Sequence, residues 1–140
     1  MERIHANISQ STLGGKNEYR DRIDLLRSRA EMLVGKDKIL MTMYLKNGNS
    51  FRQMARLVGV NETTISRRIH RVIKRLVDGE YITCLRNRDK FTKAEMDVAK
   101  DYFLLGMSIR KIANKHHISY YRVRETLKKI QSLVETTGVN

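Results

Sequence analysis

The sequence contains no proline, so every residue in it keeps the backbone N–H that a continuous helix requires. Cys84 is the only cysteine, which excludes an internal disulfide and a zinc site built on several thiolates. No apolar run approaches the roughly 18 residues of a membrane span, and the start, MERIHANISQ, lacks the apolar core of a secretion signal. These absences predict a helical, cytoplasmic protein with no membrane segment.

Acidic residues are scarce beside basic ones, 15 against 28, and the net charge is +13. Such a charge attracts polyanions. Residues 1–35 carry a net charge of +1, residues 36–78 carry +7 and residues 79–140 carry +5. Because the excess lies outside the N-terminal region, it favours a folded surface that binds polyanions over a disordered basic arm.

The N-terminal region is predicted to hold a mobile tail over residues 1–17 and a helix over residues 18–35. Apolar residues recur along this helix at steps of four and three, which places them on one face. The stripe consists of Tyr19, Ile23, Leu26, Ala30 and Leu33. Two heptads of this kind can form a homodimer seam, but packing against the rest of the same chain is the alternative that we prefer.

Three helices are predicted over residues 36–77. Ser50 and Gln53 have the spacing of a capping box at the start of the second helix. Gly59 provides the left-handed residue of the following turn, and Asn61 caps the third helix. The apolar face of the third helix consists of Ile65, Ile69, Val72 and Leu76.

A second copy of this pattern begins 58 residues further along and occupies residues 92–136. Five of the twelve positions from Tyr44 to Ala55 are identical in the second copy. Their shared order, Gly-x-Ser-x-Arg-x-x-Ala, is harder to match by chance than helical periodicity. His117 replaces the turn glycine, and histidine is among the residues that do enter the left-handed region.

The sequence therefore predicts an all-α fold of two tandem three-helix units with an additional N-terminal helix. Residues 78–91 interrupt the periodicity and are predicted to form a linker, with a short extended piece over residues 81–85. The spacing within each unit is typical of a helix-turn-helix, in which a small residue and a tight turn let two helices cross closely. Such a fold presents the outer face of its third helix to the major groove, which is about 12 Å wide.

The stretch SFRQMARLVGVNETTISRRIHRVIKRL resembles the helix-turn-helix of region four of bacterial sigma factors. The likeness consists of the serine, the alanine, the turn glycine, the start of the third helix rich in serine and threonine, and the long basic and apolar ending. It covers about residues 36–77, and residues 92–134 more loosely. It implies DNA binding, docking on RNA polymerase, and a bacterial, phage or mobile-element origin.

The outer faces give a set of expected DNA contacts. The expected base contacts are Thr63, Ser66, Arg67 and His70 in the first copy and Tyr120, Tyr121, Arg124 and Lys128 in the second. The expected phosphate contacts are Arg52, Arg68, Arg71, Lys74, Arg75, Arg110 and Arg122. For the two tyrosines, packing inside the protein is an equally weighted alternative.

Other chemistry has little support in the sequence. The adjacent His116 and His117 have no third ligand at a suitable spacing, so structural roles are preferred to a metal site. No phosphate-binding loop, nucleophile–base pair or paired carboxylate stands out, and we expect neither an enzyme nor a cofactor.

The preferred function is a sequence-specific regulator of transcription that binds double-stranded DNA through both units. One alternative is a sigma-like adaptor that docks on RNA polymerase or another protein through one unit. Another is a regulator or accessory DNA-binding protein of a mobile element.

Overall fold

The computed structural model describes residues 16–137, and the side chains of residues 18–136. No β-strand occurs in this range, which confirms the prediction of an all-α fold. None of the described helices is long and apolar enough to cross a membrane. The chain divides into two compact units between Val77 and Asp78.

The described part of the first unit contains four helices. They are α1 (Lys16–Ala30), α2 (Gly35–Leu45), α3 (Phe51–Val58) and α4 (Glu62–Asp78). The tail predicted over residues 1–17 lies outside the described residues, except for its last two, which begin α1. The helix predicted over residues 18–35 ends early, at Ala30, because the chain leaves it through hydrogen bonds that span three residues, such as Leu33 N–H to Ala30 O (3.1 Å).

The apolar stripe of α1 belongs to the core of the first unit. Ile23, Leu26, Ala30 and Leu33 are at most 8% exposed within the single chain, and Tyr19 is partly buried. The alternative in which the stripe packs on its own chain is therefore what the structure shows. The four buried side chains are therefore unavailable for the homodimer seam, the other alternative for this stripe, unless the first unit opens.

Two arginines near the end of α1 bind the carbonyl ends of other helices. The guanidinium of Arg29 donates to Leu76 O at 2.6 Å, near the end of α4, and that of Arg27 donates to Leu45 O at 3.4 Å, the last residue of α2. The last carbonyls of a helix have no partner within the helix and carry partial negative charge. The helix α1 therefore holds the ends of α2 and α4 as well as covering the core.

Up to residue 137, the second unit contains four α-helices and two shorter pieces of other helix types. They are α5 (Glu80–Arg86), a 3₁₀ turn (Arg88–Lys90), α6 (Lys93–Ala99) with a π-helical continuation (Lys100–Leu104), α7 (Ile109–His116) and α8 (Tyr120–Thr137). The core of this unit includes Cys84, Ala99, Ile112, Val123 and Ile130, none of which is measurably exposed.

The prediction of a linker over residues 78–91, with an extended piece over residues 81–85, is wrong. This segment contains α5, and the Cys84 side chain is fully buried in the core of the second unit. Tyr81 packs against the same core, one helical turn before Cys84. Two apolar contacts from a seven-residue helix make too short a pattern for periodicity to detect.

The 58-residue repeat is present in the backbone as well as in the sequence. Gly48 and Gly106 have nearly the same positive φ, 67° and 68°, and Gly59 and His117 are also left-handed, with φ of 82° and 56°. The left-handed conformation predicted for His117 is thus confirmed. It is the only described residue other than glycine with a positive φ.

Hydrogen bonds follow the same register. Asn49 N–H donates to Met43 O at 3.0 Å, and 58 residues later Met107 N–H donates to Asp101 O at 2.9 Å. The predicted capping box of Ser50 and Gln53 is confirmed, and Thr92 and Glu95 form a second capping box at the start of α6. The two units therefore share a backbone scaffold on which different side chains are mounted.

Burial makes Cys84 an unreactive thiol while the second unit is folded. Removal from water, together with the charge of Glu80, raises the pKa of the Cys84 thiol to about 11. Since the thiolate is the nucleophile, we expect iodoacetamide at neutral pH to leave Cys84 unmodified until the unit unfolds. Mass spectrometry along a urea titration measures this, and rapid alkylation without urea would contradict the burial of Cys84.

Glu95 is expected to make the second unit sensitive to acid. Burial opposes ionisation, but the hydrogen bond and charge of Lys129 (2.7 Å) and the Thr92 N–H outweigh it, so the pKa of Glu95 is lowered from 4.5. A lowered pKa stabilises the fold above pH 4.5, and this stabilisation is lost as pH falls through the folded-state pKa.

The substitution Glu95→Gln tests this contribution. At neutral pH we expect it to lower the free energy of unfolding of the second unit by about 1 kcal/mol, with a smaller difference at about pH 3. Urea denaturation followed by circular dichroism at each pH reports the unfolding. Asp97→Asn is the matched control, since Asp97 lies on the same helix in an exposed pair with Lys93. An effect of Glu95→Gln that does not change with pH would contradict the assignment.

Candidate nucleic-acid interface

The close approach of α3 and α4 depends on a small residue and a left-handed turn. Ala55 is 8% exposed, and its carbonyl accepts the N–H of Gly59 at 2.8 Å and that of Val60 at 3.1 Å. Gly59 has φ of 82°, which side chains other than glycine adopt at a cost. The chain can therefore reverse within three residues and begin α4 at Glu62.

The orientation of α4 is determined by its buried face. The carboxamide Oδ1 of Asn61 accepts the N–H of Thr64 at 2.8 Å, as predicted for the cap. The buried face consists of Ile65, Ile69, Val72 and Leu76, each at most 1% exposed. With one face held in the core, the opposite face must point to solvent.

Five polar residues form the opposite face, which we call the outward strip of α4. Apart from Asp78, the last residue of α4, the positions opposite the buried face at about 100° per residue are Thr63, Arg67, His70, Arg71 and Lys74, and all five are exposed. Arg67 and Arg71 have no ion pair or hydrogen-bond partner for their guanidinium groups among the residues that the structure describes. These two arginines are therefore available to bind an anion.

Arg68 and Arg75 lie at one edge of the strip and have a different role. Their guanidinium groups donate to the two carboxylate oxygens of Asp37 in α2, Arg68 Nε to Oδ1 and Arg75 Nη2 to Oδ2, both at 3.0 Å. The Asp37 side chain is only 16% exposed. Each of the two predicted phosphate contacts therefore gives part of its guanidinium to Asp37, which leaves Arg68 and Arg75 with fewer N–H donors for a phosphate than Arg67 and Arg71.

Ser66 and His70 lie at the other edge, toward α3. The Nδ1 atom of His70 is 2.7 Å from Ser66 O and 3.3 Å from Ser66 Oγ. The ring of Phe51, the first residue of α3, forms a T-shaped pair with the imidazole, with centroids 6.2 Å apart. Ser66 is half-buried, and its contacts with Nδ1 orient the His70 ring, which remains exposed.

Arg52 lies early in α3, as predicted for a phosphate contact. Its Nε is 3.7 Å from an oxygen of Glu62, and the two side chains are 77% and 57% exposed. An ion pair this open contributes at most about 1 kcal/mol. Arg52 can therefore exchange Glu62 for a phosphate at little cost.

The second unit repeats the geometry with different side chains. Ser108 Oγ accepts the N–H of Lys111 at 3.2 Å at the start of α7, and Ser119 Oγ accepts the N–H of Arg122 at 3.0 Å at the start of α8. The buried face of α8 contains Val123, Leu127 and Ile130. The outward strip of α8, defined by the same register, consists of Tyr121, Glu125, Lys128, Lys129 and Ser132.

Carboxylates neutralise much of the outward strip of α8. Glu125 stands where Arg67 stands in α4, and it pairs with Lys128 at 3.4 Å. Lys129 pairs with Glu95 at 2.7 Å. Lys128, a predicted base contact, is therefore already engaged, although its side chain is 61% exposed.

The remaining predicted contacts of the second unit are exposed. Tyr120 and Tyr121 are 50% and 69% exposed, so the alternative in which they pack inside the protein does not hold. Arg110, Arg122 and Arg124 are exposed and have no ion-pair partner among the described residues. Arg124 occupies the register of Ser66, at the edge of the strip and not at its centre.

A buried carboxylate that the sequence did not reveal supports the turn of the second unit. Asp101 is 3% exposed, and its oxygens bind Lys115 Nζ at 2.9 Å and His116 Nε2 at 2.7 Å. His116 is thus bound to the carboxylate of Asp101, and His117 forms the left-handed turn. No cluster of three or more metal-ligating side chains occurs in the described part of the chain.

Asp37 and Glu95 are the acidic residues beside the outward strips whose ion pairs sequence reasoning missed. They are 58 residues apart, and each binds basic side chains of the long helix in its own unit. Extending the repeat toward the N-terminus would have paired these two acidic positions. The residues to which each one binds would still not follow, because they lie 31 to 38 positions away along the chain.

No protein-family model matches this chain, and comparisons with curated proteins and with solved structures also found no match. The likeness to region four of sigma factors consequently depends on the quoted residues alone.

The ion pairs of Asp37 are expected to stabilise the first unit. We expect Asp37→Asn to lower the free energy of unfolding by about 1–2 kcal/mol, because two charge-assisted hydrogen bonds at a poorly exposed carboxylate are lost. Urea denaturation followed by circular dichroism measures this. Asp24→Asn, an exposed substitution on α1, is the control. Equal stability of the two variants would show that Asp37 does not tie α2 to α4.

Proposed function

We propose that this protein is a sequence-specific regulator of transcription that binds double-stranded DNA, with α4 placed in the major groove. The observation that carries the proposal is the outward strip of α4. It combines hydroxyl, imidazole and guanidinium groups on a helix whose opposite face is held in the core. These are the groups that read base edges in the major groove.

The charge distribution supports the same function. The chain has a net charge of +13, and the internal ion pairs of the first unit leave Arg67 and Arg71 without an acidic partner in the described chain. Arginine donates in a planar fork that matches both phosphate oxygens and the acceptors of guanine. Within this proposal Arg67, near the centre of the strip, contacts a base, while Arg71 and Arg52 bind phosphates.

The second unit is proposed to bind DNA more weakly or with a different preference. Glu125 places a negative charge at the centre of the outward strip of α8, and such a charge repels phosphate. Tyr120, Tyr121, Arg122 and Arg124 remain exposed beside it. If α8 enters a groove, these residues and Arg110 supply its contacts.

The same observation favours a second candidate function. A neutralised strip beside two exposed tyrosines suits a protein surface better than a phosphate backbone, since tyrosine is enriched at protein interfaces. In this alternative the first unit binds DNA and the second docks on RNA polymerase or another protein. A pull-down with core polymerase would favour this alternative if the wild type and Arg67→Ala retain the polymerase and Tyr121→Ala does not.

Selection of bound duplexes from a random pool tests the main proposal. We expect the wild type to select a defined motif. The logarithm of its affinity should fall linearly with the logarithm of the salt concentration. Arg67→Ala should weaken binding to the motif about 5- to 100-fold and relax the preference at one position. Arg71→Ala should weaken binding to all sequences alike and reduce the salt slope by about one.

Arg20→Ala is the matched control, because Arg20 is an exposed arginine of the same unit on α1. It removes one positive charge but no residue of the outward strip. The proposal fails if the wild type binds no duplex at low salt, or if Arg20→Ala and Arg67→Ala have the same effect.

A further inference from the structure

The hydrogen bonding of His70 determines which of its nitrogens carries a proton. Its Nδ1 atom lies 2.7 Å from the backbone carbonyl oxygen of Ser66, one turn earlier in α4. A carbonyl oxygen can only accept a hydrogen bond, so Nδ1 must be the donor. In the neutral imidazole the other ring nitrogen, Nε2, then carries a lone pair and no proton.

The Nε2 atom is presented to whatever approaches α4. His70 is exposed, and no residue in the described part of the chain binds Nε2. On the α3 side the imidazole forms a T-shaped pair with Phe51, at 6.2 Å between centroids and an interplanar angle of 73°. Phe51 in turn stacks on Tyr44. The imidazole therefore offers a single acceptor in a supported orientation.

The major groove contains few groups that can donate to such an acceptor. Guanine presents two acceptors and thymine presents one acceptor and a methyl group, whereas cytosine presents its N4 amine and adenine its N6 amine. We infer that His70 is a specificity-determining residue, whose Nε2 accepts a hydrogen bond from the exocyclic amine of an adenine or a cytosine. This inference depends on the proposed function, and it names the base atom that one residue of the strip reads.

The neighbouring arginine has the opposite chemistry. Arg67 lies three residues before His70 and can only donate, which suits the O6 and N7 acceptors of guanine. Three residues of helix advance by about 4.5 Å, close to the roughly 3.4 Å rise of one base pair. The amine read by His70 is therefore expected within about one step of a guanine read by Arg67.

Deletion of single base atoms tests the inference. The duplex selected by the wild type is prepared with analogues that lack the exocyclic amine of adenine or cytosine, and with 7-deazapurines that lack the N7 acceptor, at each position in turn. We expect one amine deletion to weaken wild-type binding about fivefold, which corresponds to the free energy of one neutral hydrogen bond. The same deletion should not affect His70→Ala.

A second variant shows whether the acceptor character of His70 matters. His70→Lys places a donor at the same position, and we expect it to become insensitive to the amine deletion and sensitive to a 7-deazapurine at the same base pair or the next one. Circular dichroism and urea denaturation check that both variants fold like the wild type.

Two results would overturn the inference while leaving the proposed function intact. One is equal sensitivity of the wild type and His70→Ala to every amine deletion. The other is a His70-dependent loss of affinity on removing a purine N7 and not an amine. Failure of the wild type to select any duplex would instead overturn the proposed function, and the inference with it.

Discussion

The constraint on which the rest of the structure depends is the burial of one face of the long helix in each unit. Ile65, Ile69, Val72 and Leu76 are almost fully withdrawn from water, and replacing one such side chain by alanine typically costs about 2–5 kcal/mol. A helix anchored along four positions cannot rotate about its axis. The identity of the outward residues, and therefore the chemistry of the surface, follows from this anchoring.

Electrostatics then decides which outward or edge residues remain available to a partner. Asp37 draws Arg68 and Arg75 toward α2, and Glu95 draws Lys129 toward α6. The first unit thereby keeps two exposed arginines on α4, whereas Glu125 and its pair with Lys128 leave a more neutral strip on α8. Two units with nearly the same backbone therefore present unlike surfaces, which is why we propose different roles for them.

Much of the fold followed from local rules. The capping box of Ser50 and Gln53, the left-handed His117 and the apolar face of α4 are confirmed because each depends on residues close together in the chain. The helix α5 was missed because its burial depends on a core assembled from α6, α7 and α8. The partners of Asp37 and the buried pair of Asp101 with His116 were missed for the same reason.

The sequence by itself determined the helical character of the chain, its positive charge, the 58-residue repeat and the candidates for the outward faces, since periodicity and capping act within a few residues. Only the tertiary structure decided that the α1 stripe is internal, that Arg68 and Arg75 serve the fold, and that His70 presents Nε2. The physical reason is that a hydrogen bond or ion pair depends on the distance and direction between groups that can be far apart in the chain. The availability of a charged or polar side chain depends on the groups that folding brings within about 3 Å of it, and helical spacing alone does not specify them.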